Sequence, residues 1–405
     1  MKKSKYFVSR LLVAFALTVT SCSGQVINSQ IPENPPIGKN KIVGGGCETC
    51  EYMYLGTPSE IDSVSYSPGW AEKGQKLLVT GRVYKIDGKT PAANIIVYYW
   101  QTDSDGLYSP KEGMVEGTQR HGHIRGWVKT DKNGKYSIYT IRPAPYPNSN
   151  EPAHIHIVIK EPNIANEYYI DEFVFDDDML LLPAMKRRPP ENRGGSGILR
   201  LLVKNDLQIA EHNIILGLNI PDYPETTKPE KQSGLNVGED NPSFIPFHAW
   251  GPDKGSRACP ICKYGRFLGV IYFVGNNPNW VEIKKWLTFL EQQSVDRGKF
   301  LKAYFVYGNK NSYEKDKRQN ELERLGTELK LENVALTFVP SLIDVESEVY
   351  LNKIDPEVEN TFIIFRRSNI IAKFIDINPT TDNFSTVSTT LDKFTSEYFS
   401  LEQLH

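Results

Sequence analysis

Short β-type runs separated by turn signals fill the chain between residues 77 and 160. The run LLVTGRVYK is followed by Asp87-Gly88, IIVYYWQ by Asp105-Gly106, and GWVKTD by Asn133-Gly134, which leads into KYSIYTIRP. Asp-Gly and Asn-Gly are strong tight-turn signals, and runs rich in Val, Ile and Tyr favour strands. The pattern predicts an antiparallel all-β sandwich, which we place at residues 41–222.

A different pattern begins after a Pro-rich segment at residues 223–247, which we interpret as a domain linker. Apolar residues follow Asn279 at helical spacing, and Glu282 stands where a capping box has its acidic partner. The predicted elements are strands at 267–275, 301–308 and 334–340, helices from 280 and near 312–331, a hairpin at 361–376 and a final helix. This order predicts an α/β domain at residues 248–405, so the predicted fold class is multi-domain, an all-β sandwich followed by an α/β domain.

The first 21 residues have the layout of a bacterial export signal. Four basic residues lie among the first ten, and the apolar stretch LLVAFALTVT follows before Ser21. The tetrapeptide Val-Thr-Ser-Cys ending at Cys22 resembles the lipobox of bacterial lipoproteins, in which the cysteine is lipidated and becomes the mature N-terminus. This layout predicts an extracytoplasmic, membrane-anchored lipoprotein of the outer membrane or periplasmic face, with residues 22–40 as a tether. Plain secretion with an incidental cysteine is the alternative.

Charge balance and hydropathy exclude two classes of function. The chain has 47 Lys and Arg against 49 Asp and Glu, for a formal net charge of −2. No excess of positive charge is available to bind a nucleic-acid backbone, so nucleic acid is excluded as a partner. No apolar run reaches the roughly 18 residues of a membrane-spanning helix, which excludes a polytopic membrane protein. Contact with a membrane is therefore expected only through the lipid at Cys22.

Two histidines, His154 and His156, are separated by one residue in a predicted strand. Side chains at i and i+2 share a face of a strand, so both imidazoles face one point while Ile155 faces away. A pair of exposed histidines is the alternative interpretation. Two tyrosines favour a metal site, because Tyr146 lies in a Pro-fixed turn and Tyr108 lies directly after another turn. Phenolate is a hard anionic donor, and two phenolates with two imidazoles suit trivalent iron better than zinc.

Five motifs in the predicted sandwich occur in the order found in one enzyme family. They are GRV at 81–83 with PAA at 91–93, WQTDSDGLY at 100–108, RGWVKTDKNGKY at 125–136, TIRPAPYP at 140–147 and PAHIH at 152–156. Together they resemble the intradiol ring-cleavage dioxygenases, of the catechol 1,2- and protocatechuate 3,4-dioxygenase type, over about residues 41–222. The resemblance implies a non-haem Fe(III) cofactor held by Tyr108, Tyr146, His154 and His156.

The same resemblance implies an oxidoreductase that incorporates O2. Its partners would be O2 and a small aromatic diol, whose ring opens between the two hydroxyl-bearing carbons to give a muconate-type diacid. Ferric iron is a Lewis acid that lowers the pKa of catechol hydroxyls. The family's displaced ligand, which takes a proton from the substrate, falls on Tyr146, and Tyr108 is implied as the second catalytic tyrosine. Whether the chain forms a homo-oligomer stays open.

Two acidic residues depart from the family pattern near the implied site. Glu151 stands three residues before His154, where well-known members have an Arg, and Glu172 aligns with a pocket-lining Gln. The added negative charge predicts a preference for neutral or cationic catechols over protocatechuate. Glu151, Glu172 and Arg142 are the candidate substrate contacts, although an Arg at the position of Arg142 is more often structural.

A second His-x-His pair lies in the polar loop RHGHIRG. We interpret its members, His121 and His123, as solvated histidines rather than ligands. Arg120 and Arg125 flank the pair and are candidates, with Arg142, to offset the negative charge near the implied site.

The remaining cysteines form two Cys-x-x-Cys pairs, Cys47 with Cys50 and Cys259 with Cys262. In an exported chain each pair is most simply a local disulfide, and a four-thiolate zinc site joining them is the alternative. By its element order and its Cys-Pro-Ile-Cys motif, the domain after residue 248 resembles a thioredoxin-type fold. Because its cysteines precede the first core strand instead of following it, we interpret it as a degenerate, structural or docking version.

Two other functions stay open on the sequence alone. The pattern of residues 81–136 also occurs in transthyretin-like and carboxypeptidase-regulatory-like sandwiches, which are surface binding modules without a metal. A thiol-redox protein acting through Cys259 and Cys262 is the other alternative. The complete set of two tyrosines and His-x-His favours the enzyme.

Overall fold

The computed structural model describes residues 42–224 and 232–399, apart from the side chains of residues 312 and 394–399. The predicted export signal, Cys22 and the tether lie outside the described residues. Within the described residues, no helix combines the length and the apolar character that crossing a membrane requires.

Two β-sheets form the N-terminal part. In chain order their strands are β1 Val64–Tyr66, β2 Lys76–Tyr84, β3 Ile96–Gln101, β4 Arg125–Lys129, β5 Lys135–Ile141, β6 His154–Lys160, β7 Tyr168–Tyr169, β8 Phe173–Phe175, β9 Ile198–Leu199, β10 Leu201–Lys204, β11 Leu207–Glu211 and β12 Ile214–Ile215. One sheet has the order β1-β5-β2-β11-β10, with β12 also paired to β2. The other, which we call the histidine sheet, has the order β4-β3-β6-β8-β9, with β7 paired to β6. The helix α1 Leu181–Arg187 connects β8 to β9.

The sequence predicts a purely antiparallel sandwich, but both sheets are mixed. β2 pairs antiparallel with β5 and parallel with β11 and β12, and β8 pairs parallel with β9. Tight turns dictate antiparallel pairing only between strands that follow each other directly. β11 and β9 return to their partners after long connections, so local turn signals carry no information about their direction.

The inner faces of the two sheets pack into one core. Along β6, Ile155, Ile157 and Ile159 are buried in the same cluster as Val79 and Ile138 of the opposite sheet. Successive strand residues point to opposite faces. His154 and His156 therefore lie on the outer face of the histidine sheet.

A six-stranded mixed sheet flanked by helices forms the C-terminal part. Its elements are β13 Phe247–Trp250, α2 Pro260–Tyr264, β14 Leu268–Val274, α3 Trp280–Arg297, β15 Leu301–Tyr307, α4 Lys315–Leu329, β16 Val334–Phe338, β17 Thr361–Arg366, β18 Asn369–Ile375 and α5 Thr381–Phe399. The strand order is β13-β16-β15-β14-β17-β18. The Asn279 side chain accepts a hydrogen bond from the backbone N of Glu282 at 3.4 Å, which is the predicted start of α3. From β14 onward the element order is the one predicted, and β13 is an additional edge strand.

Residues 232–247 of the predicted linker are packed into the fold. Phe244 is fully buried in a cluster with Ile271 and Phe273 of β14. The N-terminal and C-terminal parts also meet directly, since Arg266 lies 3.3 Å from Asp176. The described residues accordingly belong to one compact unit.

Candidate metal centre

Four side chains predicted as metal ligands converge at the outer face of the histidine sheet. Tyr108 Oη lies 2.6 Å from Tyr146 Oη and 2.8 Å from His156 Nε2. Tyr146 Oη lies 2.9 Å from His154 Nε2. The fold thus brings four donor atoms from three separate segments of the chain to one point.

The strand β6 positions both histidines. His156 is paired with Trp100 on β3, and His154 is paired with Val174 on β8. Ile155 between them points into the sandwich core and is 1% exposed. The two imidazole rings are nearly perpendicular, at 89°, with centroids 4.7 Å apart. Strand alternation therefore gives the His-x-His geometry that the sequence predicts.

Two loops hold the tyrosines against each other. The Asp103 carboxylate accepts a hydrogen bond from the Ser109 hydroxyl at 2.5 Å, which closes the loop around Tyr108. Gly106 in this loop has a φ of 79°, and a Cβ there would collide with the carbonyl oxygen of Pro145. Pro145 directly precedes the second tyrosine, so the close approach of the two loops requires glycine at this position.

The hydrogen-bond partners of the imidazoles leave both Nε2 atoms with lone pairs. His154 Nδ1 lies 2.8 Å from the carbonyl oxygen of Pro152, and His156 Nδ1 lies 3.0 Å from a carboxylate oxygen of Glu172. A carbonyl and a carboxylate only accept, so each Nδ1 carries a proton, and a neutral ring in this tautomer has its lone pair on Nε2. Hydrogen bonds of this kind at Nδ1 fix the ring and orient histidine ligands toward a metal.

Three short contacts at the centre share only two protons. The contacts join His154 to Tyr146, Tyr146 to Tyr108, and Tyr108 to His156. With both imidazoles neutral and protonated at Nδ1, only the two phenol hydroxyls have protons to place between these atoms. At least one contact therefore brings two lone pairs together with no proton between them, and a cation bound at this point would remove the repulsion between them. The donor set of two phenols and two imidazoles fits Fe(III).

Burial makes charge unfavourable at this centre unless a cation is present. Burial raises the pKa of Tyr108, and the hydrogen bond with Tyr146 raises it further. Burial also raises the pKa of Tyr146 and lowers the pKa of His154. Burial opposes ionisation of Glu172, but the hydrogen bond that it accepts from His156 is the main opposing cause, and the pKa of Glu172 is lowered to about 2. Glu172 is thus an ionised partner of a candidate ligand rather than a free acidic group.

The prediction that His121 is a solvated loop residue is wrong. His121 is 2% exposed, with Nε2 2.9 Å from Thr49 Oγ1 and Nδ1 2.8 Å from the Tyr98 hydroxyl. Its ring stacks on Trp100 at 3.9 Å, and Trp100 stacks on His156 at 4.6 Å. The partners lie 72 and 23 residues away in sequence, so the polarity of the local loop does not reveal them. The stack supports a candidate metal ligand from one side.

His123 is also engaged rather than solvated. Its side chain is 9% exposed, with Nδ1 2.7 Å from the carbonyl oxygen of Ser109 and Nε2 2.8 Å from Glu72. The ring therefore braces the loop that carries Tyr108.

A cavity of about 640 Å³ opens on His154 and His156 from the side of α1, and both Glu151 and Glu172 line it. The Glu151 side chain is 51% exposed and lies 3.8 Å from Arg187. The predicted preference for neutral or cationic catechols depended on two uncompensated carboxylates near the substrate. Glu151 faces Arg187 and Glu172 binds His156, so both carboxylates have a partner, and the preference for neutral or cationic catechols stays a prediction.

Arg142, the third candidate substrate contact, is not among the described residues that line this cavity. Its guanidinium donates two hydrogen bonds to Asp177, at 2.8 and 2.7 Å, and lies over the ring of Phe175 at 4.5 Å. Arg120 is paired with a glutamate, and Arg125 donates hydrogen bonds to backbone carbonyls. Arg142 therefore has a structural role at the end of β5.

Sequence reasoning missed the residues that surround the four donors. Trp100 and His121 support His156, and Glu172 binds it, yet none of the three was predicted to do so. One signal was available, because Tyr98 and Trp100 alternate along β3 and place two aromatic rings on the outer face. A row of aromatic residues on an outer face indicates that something covers it.

Each Cys-x-x-Cys pair is joined locally in the structure. Cys47 is bonded to Cys50 and Cys259 to Cys262, which leaves no free thiolates for the alternative zinc site. Cys50 is fully buried against the aromatic face that includes Trp100. The first pair therefore lies beside the support of the candidate centre.

Comparison with known proteins matches residues 48–187 to the Dioxygenase_C family model, described as "Dioxygenase". Catechol 1,2-dioxygenase 2 of Acinetobacter lwoffii is 28% identical over 170 residues, which cover 33% of this chain and 60% of the relative. The protocatechuate 3,4-dioxygenase beta chain of Burkholderia cepacia is 29% identical over 156 residues, covering 36% of this chain and 62% of the relative. The chain thus spans about three fifths of the length of these curated relatives.

Among solved structures, the dioxygenase domain of a dioxygenase carbohydrate-binding protein fusion from Streptomyces sp. SirexAA-E is similar, with 19% identity and a TM-score of 0.31. That match covers 40% of this chain and 88% of the solved chain. An intradiol ring-cleavage dioxygenase from Tetranychus urticae has 22% identity and a TM-score of 0.28, covering 39% and 88%. The β-rich part of this chain is therefore similar in sequence to dioxygenases, including catechol 1,2- and protocatechuate 3,4-dioxygenases.

Proposed function

We propose that this protein is a non-haem Fe(III)-dependent intradiol dioxygenase that cleaves a catechol-type ring with O2 to a muconate-type diacid. The observation that carries the proposal is the centre in which three short contacts among four donor atoms share two protons. Tyr108, Tyr146, His154 and His156 would hold the ion. The similarity of residues 48–187 to dioxygenases supports the reaction class.

A bound ferric ion would supply Lewis acidity that lowers the pKa of the catechol hydroxyls. The two histidines lie on a sheet strand and are held at Nδ1, so they keep their positions during the reaction. The resemblance to the family assigns the role of the displaced ligand to Tyr146, which lies between two prolines and outside the strands. Once displaced, its phenolate oxygen accepts a proton from a catechol hydroxyl. Overall, both atoms of O2 are added to the hydroxyl-bearing carbons, the bond between them breaks, and no external reductant is consumed.

Iron content, the visible spectrum and O2 uptake with catechol together test this proposal. Ferric iron bound by tyrosinates produces a visible charge-transfer colour, and we expect about one iron per chain with catechol-dependent O2 uptake. Zinc-loaded protein is the matched control, since zinc has no redox chemistry and should give neither colour nor turnover. Protein that stays colourless and iron-free after refolding with iron salts would contradict the proposal and would favour a non-catalytic sandwich.

We also propose that the protein is exported and anchored through a lipid on Cys22. The basic and apolar segments before this cysteine support the proposal. For the C-terminal part we propose a thioredoxin-like domain with a structural or docking role, supported by the strand–helix order from β14 to α5.

A further inference from the structure

The cavity that opens on His154 and His156 is much larger than a catechol. Its volume of about 640 Å³ lies within the range of roughly 300–1,000 Å³ that is typical of sites for drug-sized ligands. A single benzene ring with two hydroxyls fills only a small part of it. Apolar side chains line part of the remaining space, and charged side chains, among them Arg188, Arg193 and Asp240, line the rest.

An apolar floor leads away from the candidate metal ligands. Across the histidine sheet, His154 is paired with Val174, and Val174 is paired with Ile198. Paired residues on neighbouring strands share a face, and strands lie roughly 4.8 Å apart, so Ile198 lies about 10 Å from His154. Val174 and Ile198 both line the cavity and are half-buried. The floor is therefore long enough for a second ring beyond the one at the metal.

The helix α1 supplies an apolar wall above this floor. Leu181, Ala184 and Met185 recur at helical spacing and line the cavity. The segment that leads into α1 is fixed beside the candidate centre, because the Asp178 carboxylate accepts a hydrogen bond from the backbone N of Ala153 at 2.8 Å. A hydrogen bond within the chain thus holds the start of this wall next to the candidate centre.

We infer that the substrate is a catechol carrying a long or bulky apolar substituent, such as a second aromatic ring. Its dihydroxylated ring lies at the histidines, and its substituent lies between α1 and the floor formed by Val174 and Ile198. This inference rests on the proposed function, because it concerns the same site. Burial of the substituent against both apolar surfaces provides the binding free energy that unsubstituted catechol lacks.

A series of catechols that differ only in the substituent tests the inference on the full, iron-loaded chain. The probes are catechol, 4-methylcatechol, 4-butylcatechol and 4-phenylcatechol, with O2 uptake as the readout. We expect kcat/KM to rise along the series and to be at least about tenfold higher for 4-phenylcatechol than for catechol. Turnover of catechol with no gain for 4-phenylcatechol would overturn the inference and leave the proposed function intact. No turnover of any catechol would overturn both.

Two variants on α1 locate the substituent. Ala184→Trp fills the space between helix and floor, so the kcat/KM ratio of 4-phenylcatechol to catechol should fall about tenfold. Leu182→Trp is the matched control, because Leu182 is 69% exposed and does not line the cavity, and it should keep the ratio of the unmodified protein. An unchanged ratio in a folded Ala184→Trp variant would overturn the inference. If this variant does not fold, anaerobic calorimetric titration of the unmodified protein decides, and equal affinity for all four catechols would overturn the inference.

Discussion

Replacing Tyr108 by Phe should have different consequences in metal-free and iron-loaded protein. Without metal, Tyr108 Oη takes part in two of the three short contacts, at 2.6 Å with Tyr146 and 2.8 Å with His156. The substitution removes one proton and two contacts, after which the Tyr146 hydroxyl donates to His154 without competition. A hydrogen bond contributes about 1 kcal/mol net, and here its loss is offset by removal of a contact that lacks a proton. We expect the unfolding free energy of the metal-free protein to change by less than about 1 kcal/mol.

With iron bound, the same substitution removes one of two anionic donors. A ligand at 100 times its Kd stabilises a protein by about 2.7 kcal/mol, whereas a 100-fold weaker site at the same iron concentration gives only about 0.4 kcal/mol. The difference, about 2.3 kcal/mol, corresponds to a shift in Tm of about 3 °C for one compact unit of roughly 350 residues, at about 2.1 cal/mol/K of unfolding entropy per residue. The iron-induced rise in Tm and the visible colour should therefore be largely lost in Tyr108→Phe.

Thermal unfolding with and without ferric iron measures both effects. Tyr139→Phe is the matched control, because Tyr139 stacks on Tyr66 at 4.5 Å and makes no contact with the centre among the described residues. This control should keep both the metal-free Tm and the iron-induced rise. If metal-free Tyr108→Phe lost more than about 2 kcal/mol of unfolding free energy, well above the contribution of one hydrogen bond, the proton count would be refuted. An undiminished iron-induced rise in that variant would refute the ligand assignment.

Three further predictions address the surroundings of the centre, the core and the location of the protein. His121→Ala removes the stack on Trp100 and two hydrogen bonds, so urea unfolding should show a loss of about 2–4 kcal/mol together with weaker iron binding; iron affinity equal to that of the unmodified protein would show that the stack does not support His156. Burial lowers the pKa of His212 in the folded protein to about 3. In the unfolded chain its pKa is about 6.5, so as the pH falls the unfolded chain binds this proton before the folded protein does. The unfolding free energy should fall by up to about 1.4 kcal/mol for each pH unit below pH 6.5. Urea unfolding of His212→Gln should show a smaller fall between about pH 7 and pH 5, and an unchanged fall would mean that other groups cause this pH dependence. Cys22→Ser should move the protein from the membrane fraction to the soluble fraction, and unchanged membrane fractionation would mean that another anchor exists.

Local patterns in the sequence were sufficient for much of the fold. The start of α3 at Asn279 and Glu282 was predictable because a helix cap joins residues three positions apart. The strand order along the chain after residue 267 was predictable for the same reason, since periodicity and turn signals act over a few residues. The direction of β11 beside β2 was not, because a long connection places no local restriction on it.

The donor types of the candidate centre were also present in the sequence. Strand alternation predicts that His154 and His156 share a face, and the resemblance to a family indicated the two tyrosines. That these four residues bind iron stays a prediction until iron is measured. The hydrogen-bond partners of the donors could not be predicted from the sequence, and one of them is Glu172, which binds His156.

What the sequence by itself determined is therefore the set of elements and the chemical types of the donors, because these depend on residues close together along the chain. Only the tertiary structure decided which charges are paired and which polar groups are buried. Arg142 is held by Asp177, and His121 is held by Thr49 across 72 residues of sequence. Pairing and burial depend on contacts between distant segments, and those contacts exist only once whole sheets have packed against each other.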